Sequence, residues 1–278
     1  MKNIKKILTY FFGFIILSSC SKLELSFSFA PRFVANSLDN VFDLSSDRYV
    51  KIKQKIEMDL NLNKKEILKE LSIIIDQLLE IEKQQTVTIA EFESLLKKLR
   101  LLQVKTVQIM EPTFAEVLNP LSEKELNHKK SFVKDKILKS EESVSDIKKF
   151  EKKSFKTFEK VRDYFFNDVT EEQEKLYFFF INENINYYKE QLEFRKKFNS
   201  QFDVLFEKKP ELLKYTMNYY SGDNSTKTLE FIKSQDLFFE KINQFNFKIW
   251  KLTNDQQKAY FKKTLLALND EISSLLKE

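Results

Sequence analysis

Glycine is almost missing from this chain. Gly13 and Gly222 are the only two in 278 residues, and proline occurs only at Pro31, Pro112, Pro120 and Pro210. Tight hairpins need central residues at positive φ, which Gly, Asn-Gly or Asp-Gly supply. A sheet of several strands would have almost nothing to turn on. Lys, Glu, Leu, Ile and Phe fill the chain instead, with charges of both signs interspersed, which is the habit of long helices with solvated faces. The composition therefore predicts an all-α fold.

Apolar periodicity agrees with this. Ile67, Leu71, Ile74, Ile75 and Leu78 fall on one helical face. Phe92, Leu95, Leu96, Leu99 and Leu102 make a second stripe, and Phe155, Phe158, Val161 and Phe165 a third. The run Tyr177-Phe178-Phe179-Phe180-Ile181 wraps more than one helical turn with apolar side chains and calls for a wide buried face. One stretch departs from the pattern. Leu23, Leu25, Phe27 and Phe29 alternate with polar residues up to Pro31, which predicts an extended strip.

A short phrase recurs: an apolar residue, Ser or Thr, two polar residues, then an acid or amide. Leu121-Ser122-Glu123-Lys124-Glu125, Val169-Thr170-Glu171-Glu172-Gln173 and Leu252-Thr253-Asn254-Asp255-Gln256 carry it, and Val87-Thr88-Ile89-Ala90-Glu91 is a looser copy. Its physics is the capping box. The hydroxyl accepts from the N–H three residues on, and the Glu or Gln side chain accepts from the N–H of the cap itself. Ser122 with Glu125, Thr170 with Gln173, and Thr253 with Gln256 are thus read as helix starts. Helices are expected near 45–60, 64–84, 88–110, 122–140, 145–167, 170–207, 226–249 and 253–276. They would form an elongated, mostly antiparallel bundle of about seven or eight helices, with a possible sub-boundary near 112–121.

The N-terminus carries an address. Lys2, Lys5 and Lys6 precede an apolar run from Ile7 to Leu17, which is shorter than the roughly 20 residues a spanning helix needs. It has the layout of a secretory signal. Leu17-Ser18-Ser19-Cys20 follows, and Cys20 is the only cysteine. This motif resembles the lipobox of bacterial lipoproteins. The resemblance implies cleavage before Cys20, a lipid on its sulfur and acylation of the new amine. Ser21, a neutral residue after the cysteine, then implies the outer membrane, facing the periplasm. The expected organisation is a lipoprotein signal peptide over 1–19, a lipidated tether and extended strip over 20–44, and a helical domain over 45–278. Removing residues 1–19 deletes three lysines and no acids, so the net charge falls from +5 to +2. That is a weak argument for nucleic acid as a partner.

Two families share the capping phrase. Leu252 to Gln256 matches the Leu-Thr-x-x-Gln of Spy-type and CpxP-type periplasmic stress chaperones, and Val169 to Gln173 matches with Val for Leu. Over most of the mature chain the order of elements resembles a family of uncharacterised proteobacterial helical lipoproteins. Cys20 to Leu25 and Leu38-Asp39 fill its early positions, Asp43 to Tyr49 its first helix start, and Phe150 to Gln173 its central helix and following phrase. Arg48 stands where Gln is usual, and Leu121-Ser122 replaces Leu-Thr. The resemblance implies fold and location but no activity.

Catalytic motifs are largely excluded. His128 is the only histidine, so a Ser-His-Asp triad has a single candidate base and no Gly-x-Ser-x-Gly elbow. A P-loop or dinucleotide turn needs glycines the chain lacks. Glu125-Leu126-Asn127-His128 has the Glu-x-x-His spacing of di-iron bundles, but a second such motif is missing. No catalytic residue, metal ligand set or cofactor is expected beyond the lipid on Cys20, and no small-molecule substrate is evident. The expectation is a lipid-anchored envelope protein with a non-enzymatic, protein-binding or chaperone-like role. Its partners would be the membrane, through the anchor, and other envelope proteins. A scaffolding role is the alternative, and a carboxylate-based hydrolase ranks last.

Overall fold

The computed structural model describes residues 22–84 and 86–277, which hold eleven α-helices, one 3-10 turn and no strand. The helices are α1 (Lys22–Phe42), α2 (Ser46–Lys83), α3 (Ile89–Ile109), α4 (Glu111–Leu118), α5 (Glu123–Ser145), α6 (Ile147–Phe166), α7 (Glu171–Glu183), α8 (Ile185–Val204), α9 (Lys209–Ser221), α10 (Leu229–Lys251) and α11 (Asp255–Lys277). The chain is all-α, as composition predicts, but the count of seven or eight is too low.

Three local effects, together with the helix α1 in place of the expected strip, account for the difference. Pro112 and Pro210 each sit in the first turn of a short helix, α4 and α9, where a missing N–H costs nothing. The expected helix over 170–207 is cut by Asn184, which closes α7 and opens α8. Its buried side chain donates to Phe180 O at 2.7 Å. Conversely, the expected break near 60–64 is absent. Asn63 donates its amide to Asp59 O at 2.8 Å, and Leu60 and Ile67 keep one buried face continuous through α2. At 38 residues α2 is about 57 Å long at 1.5 Å rise per residue.

The extended strip over 23–29 is also corrected, because these residues open α1. Leu23 and Phe27 satisfy period two and the i, i+4 spacing of a helix alike. The residues beyond decide between them: Ala30, Ala35, Leu38, Val41 and Phe42 are buried at helical spacing, and Phe29 is exposed. Pro31 lies inside this helix rather than ending a strand, at the loss of one backbone hydrogen bond.

Helix α2 is the spine. It packs against α1, α3, α4 and most extensively α11. Helices α5, α7 and α11 flank α6, while α10 lies against α3, α7 and α8. One contiguous set of buried side chains runs from Leu23 to Leu275. Part of it is a series of stacked rings: Phe158 on Tyr177, Phe180 on Phe245, Tyr187 on Phe238, Phe194 on Phe231 and Phe198 on Tyr219, with centroids 3.7–4.6 Å apart. Such pairs contribute about 0.5–1.5 kcal/mol each beyond simple burial. The Tyr177–Ile181 run is accommodated as a core face, with Phe179 left exposed. No helix among the described residues is long and apolar enough to cross a membrane.

Candidate functional site

The three apolar stripes legible in the sequence converge on one place. Leu71, Ile74, Ile75 and Leu78 of α2, Phe92, Leu95, Leu96 and Leu99 of α3, and Phe158, Val161 and Phe165 of α6 face one another. Phe245, Ile249 and Trp250 of α10 and Phe261, Leu265, Leu268 and Ile272 of α11 complete the wall. The stripes do not close on each other. They leave a cavity of about 340 Å³ that is almost wholly apolar. Protein interiors normally pack with few voids larger than a water molecule. A Leu/Ile/Phe-lined void of roughly 150 Å³ is enough to admit benzene, and ligand pockets begin at roughly 300 Å³.

Local sequence explains why the void survives. Helix α6 is strongly amphipathic, yet Arg162 is its only fully buried residue. Its rings Phe155, Phe158, Phe165 and Phe166 are half-buried, and Val161 is exposed. The helix therefore lines the cavity with half-buried rings and one buried cation. Asp146 caps its start by accepting from Lys149 N at 3.0 Å, and Asn167, at φ 70, ends it.

Among the described residues Arg162 is the one charged residue on the cavity wall, and it is 4% exposed. Its guanidinium carbon lies 3.6 Å from the centroid of the Phe166 ring, so one face is covered by an aromatic. That ring stacks in turn on Phe261, with centroids 4.7 Å apart. The Nε and Nη2 atoms of Arg162 are sealed from solvent and have no hydrogen-bond partner among the described residues. Burial pushes this guanidinium down to about 10, and the nearby Asp168 carboxylate opposes the shift. A buried cation with unused donors is costly, and each orphaned donor group costs about 1–3 kcal/mol or more. The sequence carried a signal for it, because Arg162 stands four residues from both Phe158 and Phe166 and so falls within the apolar stripe.

The sequence-read site residues have structural duties. Ser122 and Glu125 form their capping box: Ser122 N donates to Glu125 at 2.8 Å and Glu125 N to Ser122 Oγ at 3.3 Å. Glu125 also takes an ion pair from Arg48, whose other nitrogen donates to Val117 O at 2.8 Å. His128 points Nδ1 at Val41 O, 3.1 Å away, so that nitrogen carries the hydrogen. The Glu-x-x-His pair is thus split between a helix cap and a backbone contact. Among the described residues no three His, Cys, Asp or Glu cluster as metal ligands. Thr170 and Gln173 cap α7 as expected.

The third box is shifted by one residue. Asn254, not Thr253, caps α11, and its partner is Gln257, not Gln256. Asn is a stronger cap than Thr. Thr253 turns inward instead and donates to Ile249 O at 2.9 Å, while Gln256 stays exposed. Cys20, Leu17, Ser18 and Ser19 lie outside the described residues. No protein-family model matches this chain, and neither the curated proteins nor the solved structures include a significant match to it.

Proposed function

We propose that this protein is a lipid-anchored lipoprotein of the bacterial cell envelope whose role is to bind, not to catalyse. The anchor rests on the lipobox at Leu17 to Cys20, and the resemblance to helical envelope lipoproteins supports the same location. The helices would pack as an elongated, mostly antiparallel bundle. The short connections between α2 and α3 and between α10 and α11 favour antiparallel neighbours.

One observation carries the binding role: the apolar cavity beneath α6. Cores pack their apolar stripes tightly, and here five helices turn such stripes toward an unfilled space. Its volume narrows the protein-binding reading. About 340 Å³ holds one chain of methylenes or a few side chains, not a folded client. Chaperone-like capture would then mean taking up a short apolar group.

Trp250 is the only tryptophan and lines this cavity, so its emission reports occupancy. Bromobenzene, a neutral apolar quencher, is expected to quench Trp250 saturably in the full-length protein. Leu96→Phe combined with Leu99→Phe, which narrows the space, should weaken the effect. Quenching that rises only linearly, or that is unchanged in the narrowed variant, removes the binding role. Radiolabelled palmitate that fails to enter the protein, or enters a Cys20→Ala variant equally, removes the anchor.

A further inference from the structure

We infer that the cavity is the berth of the protein's own lipid: one acyl chain on Cys20 enters beside Leu23 and runs along the apolar wall toward Trp250. The inference rests on lipidation of Cys20 and on the cavity being a binding site, and it names the occupant.

Position selects this guest. Leu23 is 1% exposed, lines the cavity and donates its N–H to Glu271 of α11. Cys20 precedes it by three residues, a stretch that spans at most about 11 Å. The lipidated sulfur is therefore confined to the neighbourhood of the cavity wall. A group on so short a tether acts at an effective concentration in the millimolar range, which any free lipid or client side chain has to match.

Shape agrees with position. Helices α2 and α11 run antiparallel along the cavity: Ser72 donates to Asn269 at 3.4 Å, and Glu82 pairs with Lys262 at 3.2 Å. Leu71, Ile272 and Leu23 thus gather at one end. Ile81, Phe261 and Trp250 gather at the other, where the Trp250 and Phe261 rings have centroids 5.5 Å apart. Leu71 to Ile81 covers about 15 Å of helix. About 340 Å³ drawn out over that length is narrow, the form of an extended hydrocarbon chain. Beyond Arg162, Asn246 is the only polar side chain on the wall among the described residues. An acyl chain asks for no more, because its ester or amide stays at Cys20. Lipid tails are about as apolar as leucine, so exchanging a bilayer for this wall costs the chain little. The other acyl groups on Cys20 remain available to a bilayer.

The test uses the full-length protein, purified in uncharged detergent from cells fed palmitate that carries a photoreactive diazirine. The diazirine sits near the tail in one preparation and near the carboxyl end in the other. After irradiation, peptide mapping should place the tail label on the segments holding Trp250 and Phe261, and the other label on those holding Leu23, Leu71 and Ile272. Both labels should be unchanged by dilution, as an intramolecular contact requires, and should fall as bromobenzene quenches Trp250. The variant with Leu96→Phe and Leu99→Phe should lose most of the tail label while keeping its helical ellipticity. Label confined to detergent, or to residues next to Cys20, overturns the assignment. Wall label that fades on dilution comes from another molecule's lipid and overturns it too. If bromobenzene quenches saturably in a parent without wall label, the cavity binds and this occupant is wrong. If neither quenching nor wall label is seen, the binding role fails with it. If no probe enters the protein, the anchor fails and the assignment falls.

Discussion

Gln173 and Gln257 hydrogen-bond to each other through both amides, at 3.1 and 3.3 Å, and both are fully buried. Each is also the third residue of a capping box. Thr170 N donates to the Gln173 oxygen and Asn254 N to the Gln257 oxygen. The amide nitrogens go further, to Leu252 O from Gln173 and to Asp168 from Gln257. Two helix starts that are 84 residues apart in sequence are thus tied at their first turns. Replacing either glutamine by Leu strands the other's buried polar atoms, at about 1–3 kcal/mol. The double variant should cost less than the two single costs added together. Urea denaturation of the four proteins measures that coupling, and strict additivity would mean that the pair is not coupled.

The shifted box on α11 gives a one-residue discrimination. Asn254→Ala should cost about 1 kcal/mol as the loss of a helix cap. Gln256→Ala, on an exposed position, should stay within about 0.5 kcal/mol of the parent. The opposite ranking in thermal melts would restore the register with Thr253 as cap.

Most of the helical content was legible because the signals are local: few glycines, apolar stripes at 3.6 spacing, and hydroxyl caps followed by Glu or Gln. The failures lie where a local signal serves two structures. Leu23 and Phe27 fit both periods, so the start of α1 reads as a strip until residues as far as Phe42 are weighed. In Leu252 to Gln257 two overlapping boxes compete, and a contact from Gln173, far away in sequence, favours the second. Three of the five stripes around the cavity, those on α2, α3 and α6, are readable in the sequence. The gap between them was not, because it depends on how far apart five helices settle. Arg162 falls within the α6 stripe, but in a chain rich in charges the sequence does not say which of them is buried.

Arg162→Met should stabilise the unliganded protein, by about 1–3 kcal/mol, because it removes a buried cation with idle donors and keeps the apolar bulk. A residue that lowers stability where it stands fits a binding role better than a packing one. A clear loss of stability in urea would show that Arg162 is part of the frame.

Lys129 sets a contrast. It is 2% exposed, burial pushes its pKa down, and Asp203 at 2.7 Å and the Phe202 ring at 4.2 Å hold it in place. Removing only the partner, as in Asp203→Ala, leaves that ammonium uncompensated and should cost about 2–4 kcal/mol. Lys129→Met removes the buried charge itself and should come within about 1 kcal/mol of the parent. Calorimetry of the two variants checks the asymmetry, and equal losses would refute it.

The buried rings give a pH signature. Burial raises Tyr177 to about 12 and pushes Tyr188, Tyr219 and Tyr220 up as well. The fold favours their neutral forms. That stability is complete below the ordinary tyrosine value of 10.0 and is lost as pH climbs through the raised folded values. Part of the 295 nm tyrosinate absorbance should therefore appear only as helical ellipticity collapses, above pH 10. If all the tyrosines titrated near 10 with ellipticity intact, these rings would be solvated.

A helix held by half-buried rings around one ill-satisfied cation is less firmly covered than one with a continuous buried face. The amide protons of α6 should trade with deuterium well ahead of those in α2, whose apolar face is covered along its length. The entrance to the chamber would then be set by brief detachment of one wall, and a tenant bridging that wall to the rest would slow the exchange.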